Sequence, residues 1–174
     1  MAGMEKHFIG EQELLLDAYR LAVNIHNDGF RPTRIVGLWP GGASVGVYMH
    51  ESLRHLGLVC EHYPLRVVPG ASSNEAGSVG LESLARVLER DDRLLIVDAV
   101  FASGATIRDL LAGLTHVAPD RMPRDIRRAA VWYRHDPLAK RSPPEYWLHE
   151  TDRDLVMPFE INRLGAAEIA THKP

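Results

Sequence analysis

The sequence has 174 residues, 45% of them hydrophobic, and its formal net charge at pH 7 is −3. This length and apolar content suit one globular domain over residues 1–174, with enough apolar side chains for a complete core. The charge balance gives no general attraction to nucleic acid or anionic membranes, so we expect neither partner and any anion site must be local.

The chain carries no signal for export or membrane insertion that we can identify. No apolar run is long enough to cross a bilayer, and the first ten residues lack the basic flank and apolar centre of a signal peptide. We therefore expect a cytoplasmic protein. The single cysteine, Cys60, lies in an apolar stretch and has no disulfide partner, which favours a buried thiol over a reactive one.

The first half of the chain alternates helical and strand patterns. Residues 11–27 place apolar side chains at helical spacing, which predicts an amphipathic helix. Residues 34–39 form a short apolar run that stops at a Pro-Gly-Gly turn, and residues 43–55 return to helical spacing. The apolar run 58–68 predicts another strand. Residues 69–78 have neither periodicity nor large apolar side chains, which predicts a mobile loop.

The second half repeats the alternation. Residues 81–89 and 107–116 have helical spacing, residues 93–98 form a continuous apolar run that ends in an acid, and residues 128–133 form another strand pattern. The tail from residue 143 reads as short β or irregular pieces. Strands that alternate with helices predict an α/β fold, a parallel sheet flanked by helices, with ligand sites at the carboxyl ends of the strands.

Five small residues separate the predicted central strand from the next helix: Ala102, Ser103, Gly104, Ala105 and Thr106. Free backbone N–H groups and the helix dipole favour a bound anion at such a place, and the two hydroxyls add donors. An ordinary tight turn, in which one hydroxyl caps the helix, accounts for the same residues. The loop pattern alone leaves both interpretations open.

The wider pattern around this loop is more specific. Neither the Gly-x-x-x-x-Gly-Lys loop nor a Gly-x-Gly-x-x-Gly turn after the first strand is present. Four apolar residues, Asp98 and then Ser-Gly-x-Thr before a helix resemble the phosphoribosyl pyrophosphate (PRPP) signature of the type I phosphoribosyltransferases. The resemblance implies that Asp98 is catalytic and holds the ribose hydroxyls, and that residues 102–106 bind the 5′-phosphate.

The resemblance extends along most of the chain. Residues 68–80 take the place of the family's flexible catalytic loop, and residues 143–165 resemble the small C-terminal hood of xanthine/guanine/hypoxanthine-type enzymes. The pyrophosphate loop corresponds to Trp39, Pro40, Gly41 and Gly42. Because family members often hold a cis peptide in that loop, we expect a cis Trp39-Pro40 bond.

The resemblance also implies a base-binding site. Arg134 takes the position of the family's lysine on the purine 6-oxo group, and the adjacent His135 is a second candidate polar contact; a solvated arginine and a surface histidine remain the alternatives. No histidine spacing indicates a zinc site, so we assign no protein-held metal. The implied cofactor is Mg²⁺, bound mainly through PRPP.

Four positions depart from the family pattern. Ala99 replaces the second acid of the signature, Ala102 replaces an aspartate near purine N7, and Pro40 replaces a cation of the pyrophosphate loop. Asp154 stands where the hood normally supplies a stacking tryptophan. These changes bear on the reaction more than on the fold.

The expected function is transfer of the phosphoribosyl group of PRPP to a 6-oxopurine base in purine salvage, with release of pyrophosphate, by a homo-oligomer whose partners are small molecules. One alternative is a non-catalytic nucleotide-binding regulator of the same fold. Another is a transferase for an unusual base, in which Asp154 recognises a cationic group.

Overall fold

A computed structural model describes residues 5–67, 78–135 and 143–173 of the chain. Its helices are α1 (Glu11–Asn27), α2 (Gly41–His55), α3 (Leu81–Val87), α4 (Ala105–Val117) and α5 (Ala166–His172), with a 3₁₀ turn at Pro119–Arg121. Its strands are β1 (Lys6–Phe8), β2 (Arg34–Leu38), β3 (Glu61–Val67), β4 (Ser78–Val79), β5 (Arg93–Phe101), β6 (Asp125–Arg134), β7 (Tyr146–Thr151) and β8 (Asp154–Val156).

Six of these strands form one sheet in the order β4-β3-β2-β5-β6-β7. All neighbours are parallel except β3 and β4, which are antiparallel. The predicted α/β architecture with a parallel sheet is therefore confirmed. The carboxyl ends of β2, β5 and β6 lie side by side at one edge, which is where parallel sheets of this kind bind ligands.

The position of β5 in the middle of the sheet follows from its sequence. The run Leu94–Val97 is fully buried, because α1 and α2 cover one face of the sheet and α3 and α4 cover the other. Leu21 and Met49 belong to the first core, and Leu84 and Leu110 to the second. Cys60 is buried in the first core, as predicted.

Several element boundaries differ from the sequence-based expectation. The central strand does not stop at Asp98 but continues to Phe101, because Val100 and Phe101 pair with Trp132 and Tyr133 of β6. In the same way β6 begins at Asp125, opposite Arg93. Pairing with a neighbour decides these ends, and a single sequence does not display it. The connecting loop is therefore shorter than predicted, and α4 begins at Ala105.

The region predicted as the hood divides between two sheets. Within residues 143–165, β7 extends the main sheet, whereas β8 pairs in parallel with β1 in a separate two-stranded sheet. The sequence analysis missed β1, since three residues are too few to show periodicity, and it also missed α5. That residues 1–174 form one domain stays a prediction.

Most of the predicted catalytic loop at residues 68–80 lies outside the described residues; its last part contributes β4. Across the described segments, none of the helices has the length and apolar character needed to span a membrane.

Candidate functional site

Two adjoining pockets lie at the carboxyl end of β5. The smaller, of about 120 Å³, is lined by Asp98, Val100, Phe101, Ala102, Ser103, Gly104, Ala105, Thr106 and Ile107. The larger, of about 360 Å³, is lined by Pro40, Gly41, Asp98, Ala99, Val100, Ala102, Arg134, Leu155, Met157, Phe159, Glu160 and Arg163. The structure thus brings together the predicted phosphate cradle, part of the predicted pyrophosphate loop and Arg134. Asp98 and Ala102 border both pockets.

The small pocket is built by the turn from β5 into α4. Gly104 precedes the helix with φ of +68°, a left-handed conformation that glycine adopts without steric cost, and a Cβ there would lie 2.8 Å from Cζ of Phe101. The backbone N–H of Ala105 donates to Oγ of Ser103 at 3.3 Å. The following N–H groups of the first helical turn have no acceptor within the helix, so an anion in this pocket meets donors and the positive end of the helix dipole.

The turn from β2 into α2 packs directly over the end of β5. A Cβ on Gly42 would overlap the carbonyl oxygen of Val97, and a Cβ on Gly41 would lie 2.9 Å from Cβ of Ala99. Only glycine permits this approach. The Trp39-Pro40 bond is cis, as predicted, and the backbone N–H of Trp39 donates to the carbonyl of Leu65 at 2.8 Å.

Asp98 is the acidic group common to both pockets. Its side chain is partly buried, and its Oδ1 accepts the backbone N–H of Ala99 at 2.7 Å. Loss of solvation raises the pKa of the Asp98 carboxyl to about 7, although hydrogen bonds from the Ala99 and Val100 backbone act in the opposite direction. A carboxyl with this pKa changes its charge near neutral pH, and such groups are concentrated at functional sites.

The position of the missing second acid is buried. Ala99 is almost fully enclosed between Gly41 and the first core. Within the described residues, no three His, Cys, Asp or Glu side chains are grouped so that they could hold a metal ion.

The far side of the larger pocket is formed by charged side chains from different parts of the chain. Arg134, the last residue of β6, lies 4.0 Å from Asp154 of β8, measured from Nη1 to Oδ1. Asp154 also forms a close ion pair with Arg163, which in turn lies 3.6 Å from Glu160. Because two arginines already neutralise Asp154, this geometry gives no support to the idea that it recognises a cationic substrate.

Three of the residues predicted for the base site and the pyrophosphate loop line neither pocket: Trp39, Gly42 and His135. Nε2 of His135 is 2.8 Å from the carboxylate of Glu150, and its ring lies against Tyr133. Trp39 is 62% exposed. Trp147, which we favoured as hood structure over a base platform, donates its indole N–H to the same Glu150 at 2.8 Å.

The sequence analysis missed Glu160 and Arg163 as pocket residues. They follow β8 and reach the pocket because the pairing of β8 with β1 sets the course of the tail. A Glu and an Arg three residues apart were the available signal, but such pairs are common on solvated surfaces.

Comparisons with known proteins find similar structures but no similar sequences. No protein-family model and no curated protein sequence matches this chain. Solved structures do match. A purine phosphoribosyltransferase from Pyrococcus horikoshii aligns over 93% of this chain and 99% of its own length, at 17% identity and a TM-score of 0.66. The Helicobacter pylori xanthine-guanine-hypoxanthine phosphoribosyltransferase aligns over 97% and 100%, at 15% identity and a TM-score of 0.68.

The chain has the type I phosphoribosyltransferase fold. A hypothetical protein from Neisseria gonorrhoeae with bound ppGpp shares it, with 18% identity, coverage of 99% of this chain and 96% of that one, and a TM-score of 0.72. Identities this low establish the fold alone. The resemblance noted in the sequence is therefore confirmed as a phosphoribosyltransferase fold, and activity must be argued from the site.

Proposed function

We propose that the protein transfers the 5-phosphoribosyl group of PRPP to a 6-oxopurine base and releases pyrophosphate. One observation carries the proposal. Asp98 lies at the junction of a phosphate-sized pocket and a larger pocket that is bordered by both the glycine turn and Arg134. The small pocket, Asp98 and the larger pocket thus follow one another in the same order as the phosphate, ribose and base of a nucleotide.

In this proposal the phosphate is held mainly by backbone groups. The turn at residues 102–106 directs the first N–H groups of α4 into the small pocket, and the hydroxyls of Ser103 and Thr106 line it. Ionised Asp98 accepts hydrogen bonds from the ribose 2′ and 3′ hydroxyls. Charge-assisted hydrogen bonds of this type contribute about 1.5–3 kcal/mol each.

The reaction exchanges one bond at ribose C1′ for another. The bond from C1′ to the pyrophosphate oxygen breaks, the bonding electrons leave with pyrophosphate, and a ring nitrogen of the base forms the new bond to C1′. Backbone N–H groups of Gly41 and Gly42, at the start of α2, face the negative charge that develops on the leaving group. Ala102 supplies no carboxylate, so the proton of the base passes to water in this scheme.

The described residues fit a magnesium ion that arrives with its substrate. Asp98 offers carboxylate oxygens beside the ribose position, and Ala99 offers none. Mg²⁺ would be held largely by diphosphate and ribose oxygens, where it offsets negative charge on the leaving pyrophosphate.

Arg134 is our proposed contact to the 6-oxo group of the base. It lines the larger pocket at the end of β6, and its 4.0 Å separation from Asp154 leaves room for a closer acceptor. His135, paired with Glu150 outside this pocket, has no role in the proposal.

The test is a turnover assay with the full chain, PRPP, Mg²⁺ and a panel of hypoxanthine, guanine, xanthine and adenine. We expect pyrophosphate release and a nucleoside monophosphate product with at least one 6-oxopurine. The matched control is Asp98→Ala, which should release none. Absence of product with every base, from a chain that is folded, would contradict the proposal.

A second candidate is a nucleotide-binding regulator without transferase activity. It is favoured by the three missing groups at Pro40, Ala99 and Ala102, and by the Neisseria gonorrhoeae structure, which holds ppGpp. Calorimetry with GMP and ppGpp, run beside the turnover assay, separates the two candidates. Binding without pyrophosphate release from PRPP would select the regulator.

We also propose that the protein acts in the cytoplasm as a homo-oligomer. Exposed apolar side chains on α2 and beside it, at Trp39, Val47 and Tyr48, support self-association through this face. Light scattering coupled to gel filtration would test it, and a monomeric mass at micromolar concentration would contradict it.

A further inference from the structure

His62 of β3 lies in a slot beneath the turn that begins α2. The slot is formed by Gly37 and Gly46, which leave room for the ring because they have no side chains. An ideal Cβ on Gly37 would lie 2.7 Å from Nε2 of His62, and one on Gly46 would lie 2.5 Å from the same atom. The ring therefore fills space that β2 and α2 leave open, and it ties three elements together.

The same slot adjoins the pyrophosphate loop. The point at which a Gly37 Cβ would stand is also 2.6 Å from the carbonyl oxygen of Gly42 and 2.9 Å from Cα of Ala43. Gly42 belongs to the first turn of α2, whose N–H groups face the larger pocket in our proposal. The imidazole thus supports the loop from the side opposite the substrate.

One nitrogen of the His62 ring has no polar partner in the described part of the chain. Nε2 of His62 is buried, and it makes no hydrogen bond with the described residues. Burial lowers the pKa of His62, and the nearby His50 lowers it further, because both disfavour a second positive charge. The neutral ring is the form that this slot accommodates.

The charged groups on the surrounding elements do not offset a charge on His62. On α2, His50 has its ring centroid 6.2 Å away and its Nδ1 3.2 Å from Glu51. On β2, Arg34 is paired with Asp92 and with Glu61 of β3. The neighbouring carboxylates are therefore already paired with Arg34 and His50. A protonated His62 would have to move out of the slot, and this movement would displace the pyrophosphate loop.

We propose that His62 is a positioning residue for the pyrophosphate loop, and that protonation of its ring weakens binding of the diphosphate part of PRPP without weakening binding of GMP. This inference rests on the proposed function, since it assumes that PRPP occupies the loop. GMP carries the ribose, the 5′-phosphate and a base but has no diphosphate at C1′, so it contacts Asp98, the small pocket and Arg134 without occupying the pyrophosphate loop.

The experiment measures the dissociation constants of PRPP with Mg²⁺ and of GMP by calorimetry across the acid range. Wild type is compared with His62→Gln, which removes the titrating ring, and with the matched control His50→Gln, which removes a neighbouring imidazole outside the slot. Both ligands contact Asp98, so the ratio of their dissociation constants is independent of the ionisation of Asp98. The ionisation of PRPP is the same in every experiment, so it cancels when a variant is compared with wild type. Thermal melts establish that each variant is folded.

We expect the PRPP preference of wild type to stay level from about pH 8 to about pH 6.5 and then to fall by about threefold toward about pH 5, because the pKa of His62 lies below the ordinary histidine value of about 6.5. His62→Gln should show a flat preference after correction for the ligand, whereas His50→Gln should keep a pH-dependent preference whose step moves to higher pH, because a neighbour that lowers the pKa of His62 has been removed. If His62→Gln keeps the wild-type pH dependence, the inference is wrong while the proposed function stands. If neither ligand binds wild type at any pH, the proposed function itself fails.

Should His62→Gln not fold, His62→Asn and His62→Leu remove the same ionisation with different shapes. In either of them, a pH-dependent preference equal to that of wild type would overturn the inference.

Discussion

The two ends of the proposed site, a phosphate end and a base end, are built on different principles. At the phosphate end, Gly42 lies against the carbonyl of Val97 and Gly104 lies against the ring of Phe101, so neither admits a side chain without displacing a neighbour. At the base end, side chains from β6, β8 and the tail form the pocket wall, and the ion pairs among Arg134, Asp154 and Arg163 connect them.

This difference explains how the chain can share a fold with known proteins and still form its pocket wall from different side chains. Contacts between backbone segments depend on small residues at a few positions, and a chain 15–18% identical to its structural neighbours can keep them. A wall made of side chains can change residue by residue while the sheet beneath it stays the same. We therefore expect substitutions at the phosphate end to damage the fold, and those at the base end to alter only the choice of base.

The largest effect should come from Gly42→Ala, because its Cβ would overlap the Val97 carbonyl. We expect a loss of about 3 kcal/mol in unfolding free energy, the upper part of the usual range for overpacking, together with loss of PRPP binding. Denaturant unfolding measures the first and calorimetry the second. Gly10→Ala is the control, since Gly10 has φ of −77° and nothing within 4 Å of the added Cβ. Equal stability of the two variants would refute the rigid phosphate end.

Asp98→Asn tests the group that joins the two ends, and it should change binding and stability in opposite directions. Nucleotide affinity should fall roughly a hundredfold, as the carboxylate contacts to the ribose are lost. Because folding raises the pKa of Asp98 to about 7, the folded state binds more protons than the unfolded state between about pH 4 and pH 7, and wild-type stability falls as pH rises through that window.

The asparagine variant should therefore be more stable than wild type above pH 7, on the order of 4 kcal/mol, and should lose this advantage below about pH 4. Thermal melts across this range, with and without GMP, provide the measurement. A variant less stable than wild type at pH 8 would show that burial of Asp98 does not work against the fold.

Gly104→Ala should have an intermediate effect, about 1–2 kcal/mol of unfolding free energy, because alanine is strained at φ of +68° and its Cβ meets the Phe101 ring. Gly29→Ala is the matched control: Gly29 has φ of +85° but open space around it. The difference between the two variants isolates the contact with Phe101. GMP affinity should fall in Gly104→Ala alone, and an unchanged affinity there would remove this turn from the phosphate site.

The smallest effect on the fold should follow from Arg134→Gln at the base end. We expect the KM for the base to rise about tenfold, since one charge-assisted hydrogen bond is replaced by a weaker one, with unchanged unfolding free energy and unchanged GMP phosphate contacts. Steady-state kinetics with each accepted base provide the test. Similar KM values for every base in wild type and variant would exclude Arg134 as a base contact.

Sequence alone determined the layers of this protein and one half of its site. The run Leu94–Val97 specified a strand buried on both faces, and Asp98 followed by the small residues 102–106 specified a tight turn before a helix, because these signals are local and consecutive. The phosphate at this turn is what the family resemblance predicts. Only the tertiary structure decided where β5 ends, since pairing of Phe101 with Tyr133 extends it.

The base end likewise depends on long-range contacts. Pairing of β1 with β8 joins residues nearly 150 positions apart and sets the course of the tail, so that Arg163 reaches Asp154 at the pocket. His62 was visible in the sequence only as a histidine in a strand, and its slot is formed by Gly37 and Gly46 on two other elements. Local patterns are set by neighbours along the chain, whereas a pocket wall is set by residues that only folding brings together.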